Sequence, residues 1–94
     1  MPAPYHPPVK RSLAIAGHRT SISLEPLFWD LLKRAAGEEG LAVSAMVARI
    51  DAERIRAENP PGLAGAIRVW LAARIIDRSA CEADFDTSIE EIEE

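Results

Sequence analysis

The chain has a single cysteine, Cys81, among 94 residues. One thiol excludes an internal disulfide and a cysteine-built zinc site, and it suits the reducing cytosol. Long apolar runs are missing as well: none approaches the roughly 20 residues that span a bilayer. The first eight residues hold four prolines and lack the apolar stretch of a signal peptide. Histidine is confined to His6 and His18, with no third ligand at metal spacing. Asp84-Phe85-Asp86 is not followed by the glycine and distal glutamate of a calcium loop. There is no nucleophile–base arrangement, glycine-rich phosphate loop or pair of carboxylates in a frame that holds them. The sequence therefore predicts no enzyme, cofactor or metal site, and a cytoplasmic location.

Apolar residues make up 48% of the chain, but sixteen of them are alanine. One small domain with a modest core is expected, and a partner subunit is a natural way to complete it. Charge is divided unevenly along the chain. Residues 1–24 carry Lys10, Arg11 and Arg19 and no acid, and residues 1–76 have a net charge of +3. Residues 77–94 carry Arg78 against eight acids, a net −7, so the total of −4 describes the tail and hides a mildly basic body. Such a split points to a polyanion partner or an acidic arm.

The pattern divides the chain into four parts: a Pro-rich arm over 1–9, a core unit over 10–58, an additional helix over 59–76 and an acidic tail over 77–94. Leu13 and Ile15 lie two apart, as in a strand. Thr20, Ile22 and Leu24 alternate with Arg19, Ser21 and Ser23, and the turn at Ala16-Gly17 allows the two stretches to form a hairpin. Glu25-Pro26 opens a helix, because proline is favoured where the first N–H has no partner. Its expected stripe is Phe28, Leu31, Leu32 and Ala35, and Gly40 closes it. A second helix is expected over about 42–56 with Val43, Met46, Val47 and Ile50 on its apolar stripe. Asn59-Pro60-Pro61 stops it and is expected to launch a third helix, with Leu63, Ala66, Ile67, Trp70 and Leu71 inward and an end near Ile76. In the tail, Phe85, Ile89 and Ile92 have the spacing of a short amphipathic helix.

A short alternating strand, an amphipathic helix, a glycine turn and a second helix resemble a ribbon-helix-helix DNA-binding domain. Thr20-Ser21-Ile22-Ser23-Leu24 is similar to that family's strand, and residues 40–47 (Gly-Leu-Ala-Val-Ser-Ala-Met-Val) to its turn into the second helix. Lys10-Arg11-Ser12, Gly17-His18-Arg19-Thr20-Ser21, Leu24-Glu25, Phe28-Trp29 and Ile50-Asp51 resemble a bacterial subgroup of the family. That subgroup also carries a segment matching Leu63 to Val69. The resemblance covers about residues 10–75.

It implies a mainly α fold with a short β-ribbon, an intertwined homodimer in which one strand from each chain pairs antiparallel, and an extra third helix. The ribbon enters the major groove. Arg19, Ser21 and Ser23 are then base-contacting residues, since Arg reads guanine by two bonds and Ser reads several base edges. The competing reading is the solvated face of any half-buried strand. Lys10, Arg11, Val43 and Ser44 are the implied phosphate contacts, the last two through backbone N–H groups at a helix N-terminus. Ala42 departs from the family, which usually has a capping serine there. Ile22, Leu24, Phe28, Leu32, Met46, Val47 and Ile50 form the implied dimer core. Glu25 reads as a helix-start residue, Trp29 and Trp70 as packing residues, and Cys81 as incidental.

The expectation is sequence-specific binding of double-stranded DNA by a homodimer, as a transcriptional regulator. The alternative is a protein-interaction module, antitoxin-like or an adaptor, in which the third helix or the acidic tail binds a protein partner.

Overall fold

A computed structural model describes residues 5–83 of the chain. Two strands, β1 (Val9–Ile15) and β2 (His18–Leu24), are followed by three helices: α1 (Pro26–Glu39), α2 (Val43–Arg54) and α3 (Leu63–Ala83). The strands form an antiparallel hairpin in the register Val9 to Leu24, Arg11 to Ile22 and Ile15 to His18. Ala16 and Gly17 close it with φ of 51° and 84°. Positive φ at both central residues is the two-residue turn whose twist matches paired strands. Alternation along the hairpin then sends Leu13, Ile15, Ile22 and Leu24 toward the helices and leaves the other face to water.

Local sequence explains the helix ends. Pro26 stands in the first turn of α1, and the Glu25 carbonyl accepts from the N–H groups of Phe28 at 2.9 Å and Trp29 at 3.1 Å. At the other end Gly40 adopts a left-handed φ of 70°. Its N–H reaches the Gly37 carbonyl, and the Leu41 N–H reaches that of Ala36, the paired bonds that satisfy a helix C-terminus. The helix buries Trp29, Leu32, Ala35 and Ala36, while Phe28 and Leu31 are half-buried. The inward face is thus turned by about one residue from the expected stripe. The cause is Trp29, whose indole N–H bonds the Val9 carbonyl of β1 at 2.9 Å and draws that side of α1 under the hairpin.

In α2, Met46, Val47 and Ile50 are buried and Val43 half-buried, as the periodicity predicts. The third helix differs from expectation at both ends. It begins at Leu63 rather than at Asn59-Pro60, because a residue that precedes proline is pushed to extended backbone, and Pro60 precedes Pro61. The Arg54 guanidinium holds this linker through the Pro61 carbonyl at 3.0 Å. The helix then runs to Ala83, seven residues past Ile76, through a stretch without glycine or proline. Residues 77–83, read as the start of the tail, are helical; Phe85, Ile89 and Ile92 lie outside the described residues.

The core gathers Leu24, Leu32, Met46, Val47, Ile67 and Leu71, all fully enclosed, with Ile15, Ile22, Trp29 and Ile50 around them. Each such side chain contributes about 1.5–3 kcal/mol by leaving water. Strand β1 of the same chain pairs with β2, and Ile67 and Leu71 of α3 complete the core. Of the seven residues expected in a dimer core, six are already buried within one chain, and Phe28 is half-buried.

Candidate nucleic-acid interface

The outward face of the hairpin is built by strand alternation. Lys10, Ser12 and Ala14 of β1 lie opposite Ser23, Ser21 and Arg19 of β2. All are exposed except Ser23, which is half-buried. Arg19 donates to the Ser12 hydroxyl at 3.4 Å across the strands. The face carries two positive charges and four hydrogen-bonding or small side chains. It has no carboxylate, since residues 1–24 contain none.

Of the expected contacts, Arg19, Ser21, Ser23 and Lys10 come together on this face. Arg11 does not. Its register partner is the buried Ile22, so it lies on the opposite face, with its guanidinium 5.3 Å from the centre of the Trp29 ring. A cation over an indole ring is a stabilising contact of roughly 0.5–1 kcal/mol at an exposed site. Ser12 belongs to the outward face and was missed. Leu13 and Ile15 facing inward already require it by alternation, although Ser12 carries no charge to single it out.

The second expected element, the start of α2, has Ala42 as its N-cap residue with extended backbone and no side-chain cap. The first N–H groups of a helix have no partner within it, so the uncapped turn at Val43 and Ser44 keeps donors for an anion. Both residues are half-buried. Helix α2 packs against β1, which fixes this helix relative to the hairpin.

Most other cations of the helical body are paired. Arg68 holds Glu25 through Nε at 3.0 Å and Nη2 at 3.3 Å, joining α3 to the junction of β2 and α1. The Glu25 carboxyl is held below its ordinary range, first by its own backbone N–H and further by Arg68, with partial desolvation opposing. The expected helix-start role of Glu25 is therefore filled by its carbonyl, while its carboxylate serves as the tie to α3. Arg74 bonds Glu38 at 2.8 Å and Glu39 at 3.2 Å, and Arg78 also bonds Glu38. These two arginines lower the Glu38 carboxyl, Arg74 more strongly, again against partial desolvation. Arg54 pairs with Asp51 at 2.8 Å, and Arg49 approaches Glu39 at 3.7 Å. No ion pair involves Lys10, Arg11 or Arg19 among the described residues.

Among the described residues no group of three His, Cys, Asp or Glu side chains is placed to hold a metal ion. No helix among them is long and apolar enough to cross a membrane.

A two-stranded antiparallel ribbon followed by helices, with a glycine turn between the first two, defines a class of fold. A family model described as the ribbon-helix-helix domain matches residues 8–75, and the chain belongs to that family. No curated protein and no solved structure matches the chain significantly. Ribbon-helix-helix domains are generally those of DNA-binding transcription regulators or antitoxins, are typically non-enzymatic and typically form homodimers.

Proposed function

We propose that this protein binds double-stranded DNA as a homodimer through the outward face of its ribbon, as a transcriptional regulator. The observation that carries the reading is that face itself: Lys10, Ser12, Arg19, Ser21 and Ser23 together, with no acid among them. Lys10 supplies phosphate attraction, and so does the uncapped turn at Val43 and Ser44; such contacts give affinity without sequence information. Arg19, Ser21 and Ser23 supply base contacts in the major groove, where a good bidentate pair discriminates by about 1–3 kcal/mol. Arg11 assists from the inner face by general charge.

The dimer forms along the open edge of β2. In a two-residue hairpin the closing pair, Ile15 and His18, exchanges both backbone bonds, and so does every second pair after it. The peptide groups of Thr20 and Ile22 therefore face β1. Those of Arg19, Ser21 and Ser23 face outward, where a second copy of β2 can pair about Ser21 and join two hairpins into one four-stranded ribbon. The dimer is thus an association of protomers whose cores are already closed.

The test is a gel-shift titration with genomic fragments at several salt concentrations, comparing wild type with the Arg19→Ala, Ser21→Ala, Ser23→Ala triple variant. Loss of specific binding by the variant, with an unchanged melt, supports the reading. Equal affinity would rule this face out as the reader.

A second reading, a protein-interaction module, draws on α3. Val69 and Ile76 on that helix are 68% and 66% exposed, unusual for large aliphatic side chains on a small domain. A partner captured in a pull-down, with no DNA shift, would favour it.

A further inference from the structure

We propose that residues 84–94 of this chain dock on the basic outward face of its own ribbon and the first turn of α2, the surface assigned above to DNA. The competition rests on that DNA reading; the docking itself does not.

Three observations converge on this occupant. The first is where the segment starts. The C-terminal half of α3 is anchored on the end of α1 by Arg74 and Arg78, which both bond Glu38. Only residues 39–42 separate Glu38 from the first residue of α2. From Arg78 to Ala83 the helix advances about 7.5 Å. The segment therefore leaves the body close to the α1–α2 turn. Eleven residues reach up to about 40 Å when extended, comparable to the 36 Å middle dimension of the molecule.

The second is charge. Residues 84–94 contain Asp84, Asp86, Glu90, Glu91, Glu93 and Glu94 and no basic residue. A tethered segment acts at an effective concentration of about millimolar, so even weak complementarity populates the bound form.

The third is which cations are left. Arg49, Arg54, Arg68, Arg74 and Arg78 each have a carboxylate of the body beside them. Lys33 and Arg34 are in no ion pair among the described residues but lie within about one helical turn of Asp30 and Glu38, and Arg56, also unpaired, is three residues from Glu53. Lys10 and Arg19 lie on a ribbon face with no carboxylate at all, and the α2 N-terminus has no side-chain cap. The anions of the segment are thus complementary to the one basic face of the described body that carries no carboxylate of its own, and this makes the ribbon end the destination.

The test uses the full-length chain and a full-length variant with Asp84→Asn, Asp86→Asn, Glu90→Gln, Glu91→Gln, Glu93→Gln and Glu94→Gln, which moves the net charge from −4 to +2. Amide NMR spectra of the two are compared without DNA at about 50 mM and about 500 mM salt, between which the screening length falls several-fold. Shifts at Lys10, Ser12, Arg19, Ser21 and Val43 to Ala45 that fade at high salt are expected. Absence of those shifts, or shifts confined to Val69, Trp70 and Ala73, would overturn the docking, the latter by placing the segment in a groove between α2 and α3 lined by Ile50, Ala57, Ala66, Val69, Trp70 and Ala73. The same pair is then titrated with a labelled duplex. Neutralisation should tighten binding by about tenfold at low salt and less than twofold at high salt, because phosphate attraction is the salt-sensitive part. Equal affinity alongside the shifts would overturn the competition. Shifts with no DNA binding by either chain would retain the docking and remove the DNA reading instead.

Discussion

The indole N–H of Trp29 donates to the backbone carbonyl of Val9 at 2.9 Å, so the first helix is hydrogen-bonded to the first residue of the hairpin. The same ring is 4% exposed and lies beneath the Arg11 guanidinium. One side chain thus joins a buried face of α1 to the start of β1 and gives the Arg11 guanidinium, which strand alternation turns inward, a ring to rest on. Trp29→Phe keeps an aromatic ring and removes the bond. It is expected to lower stability by about 1–2 kcal/mol, the cost of leaving a part-buried acceptor without its donor. Trp29→Ala should cost about 3–5 kcal/mol through the cavity it opens. Denaturant unfolding followed by circular dichroism measures both; a Phe variant as stable as wild type would show that the bond is only geometric.

The hairpin turn holds a second exploitable feature. Ala16 has a φ of 51°, a left-handed conformation that its Cβ disfavours by roughly 1–2 kcal/mol. Asparagine and glycine accept it far more readily. Ala16→Asn or Ala16→Gly is expected to raise the melting temperature by about 4–8 °C for each kcal/mol recovered in a domain of this size. Gly17→Val, at a φ of 84°, should lower it. Thermal melts of the three variants decide; a lower melting temperature for both Ala16 variants would mean that the methyl group contributes more than the backbone loses.

How far the sequence reveals this fold depends on whether the determining contact is local. Pro26, Gly40 and the Met46, Val47, Ile50 triplet announce their roles because capping and periodicity act within one helix. The face of α1 was misread because a contact twenty residues away, Trp29 with Val9, decides it. Ala16 in a left-handed turn gave no warning, since alanine seldom adopts it. The extension of α3 to Ala83 runs through residues without glycine or proline, and on the way Arg78 reaches Glu38, forty residues back in the chain, a contact that periodicity cannot show. For the site, alternation correctly predicted that Arg19, Ser21 and Ser23 share a face. Charge alone pairs Arg11 with Lys10, but a strand sends neighbours to opposite faces, and the register places Arg11 opposite Ile22.

Two carboxylates are expected to contribute to the acid response of the fold. Glu25 and Glu38 both have folded-state pKa values lowered from the ordinary 4.5. A lowered folded value means that the unfolded chain takes up protons first as pH falls. Their contribution is fully present above about pH 4.5 and is lost progressively as pH drops through the lowered values. Stability measured by denaturant between pH 7 and pH 3 should therefore decline below about 4.5. Glu25→Gln and Glu38→Gln should each be less stable at neutral pH and show a shallower decline. Parallel curves for wild type and both variants would assign the acid sensitivity to other groups.

The open edge of β2 gives the sharpest test of assembly. Ser21 has its peptide group on the side away from β1, whereas Ile22, one residue on, has its own directed into the hairpin opposite Arg11. Proline removes one N–H and fixes a φ that an edge strand tolerates. Ser21→Pro should therefore leave the protomer folded, with a circular dichroism spectrum close to wild type, and abolish pairing with a second β2. Ile22→Pro should break the hairpin ladder and empty a core position, unfolding much of the chain. Because the core closes within one chain, dimer loss is expected to shift the melting temperature only to the extent that mass action links folding to association, and the wild-type melt should rise modestly with protein concentration. Sedimentation equilibrium of wild type and Ser21→Pro at micromolar concentration reads the outcome directly. A dimeric wild type and monomeric variant support pairing along this edge. A dimer that survives the substitution would move the interface elsewhere, with the exposed face of α3 around Val69 and Ile76 the next surface to probe.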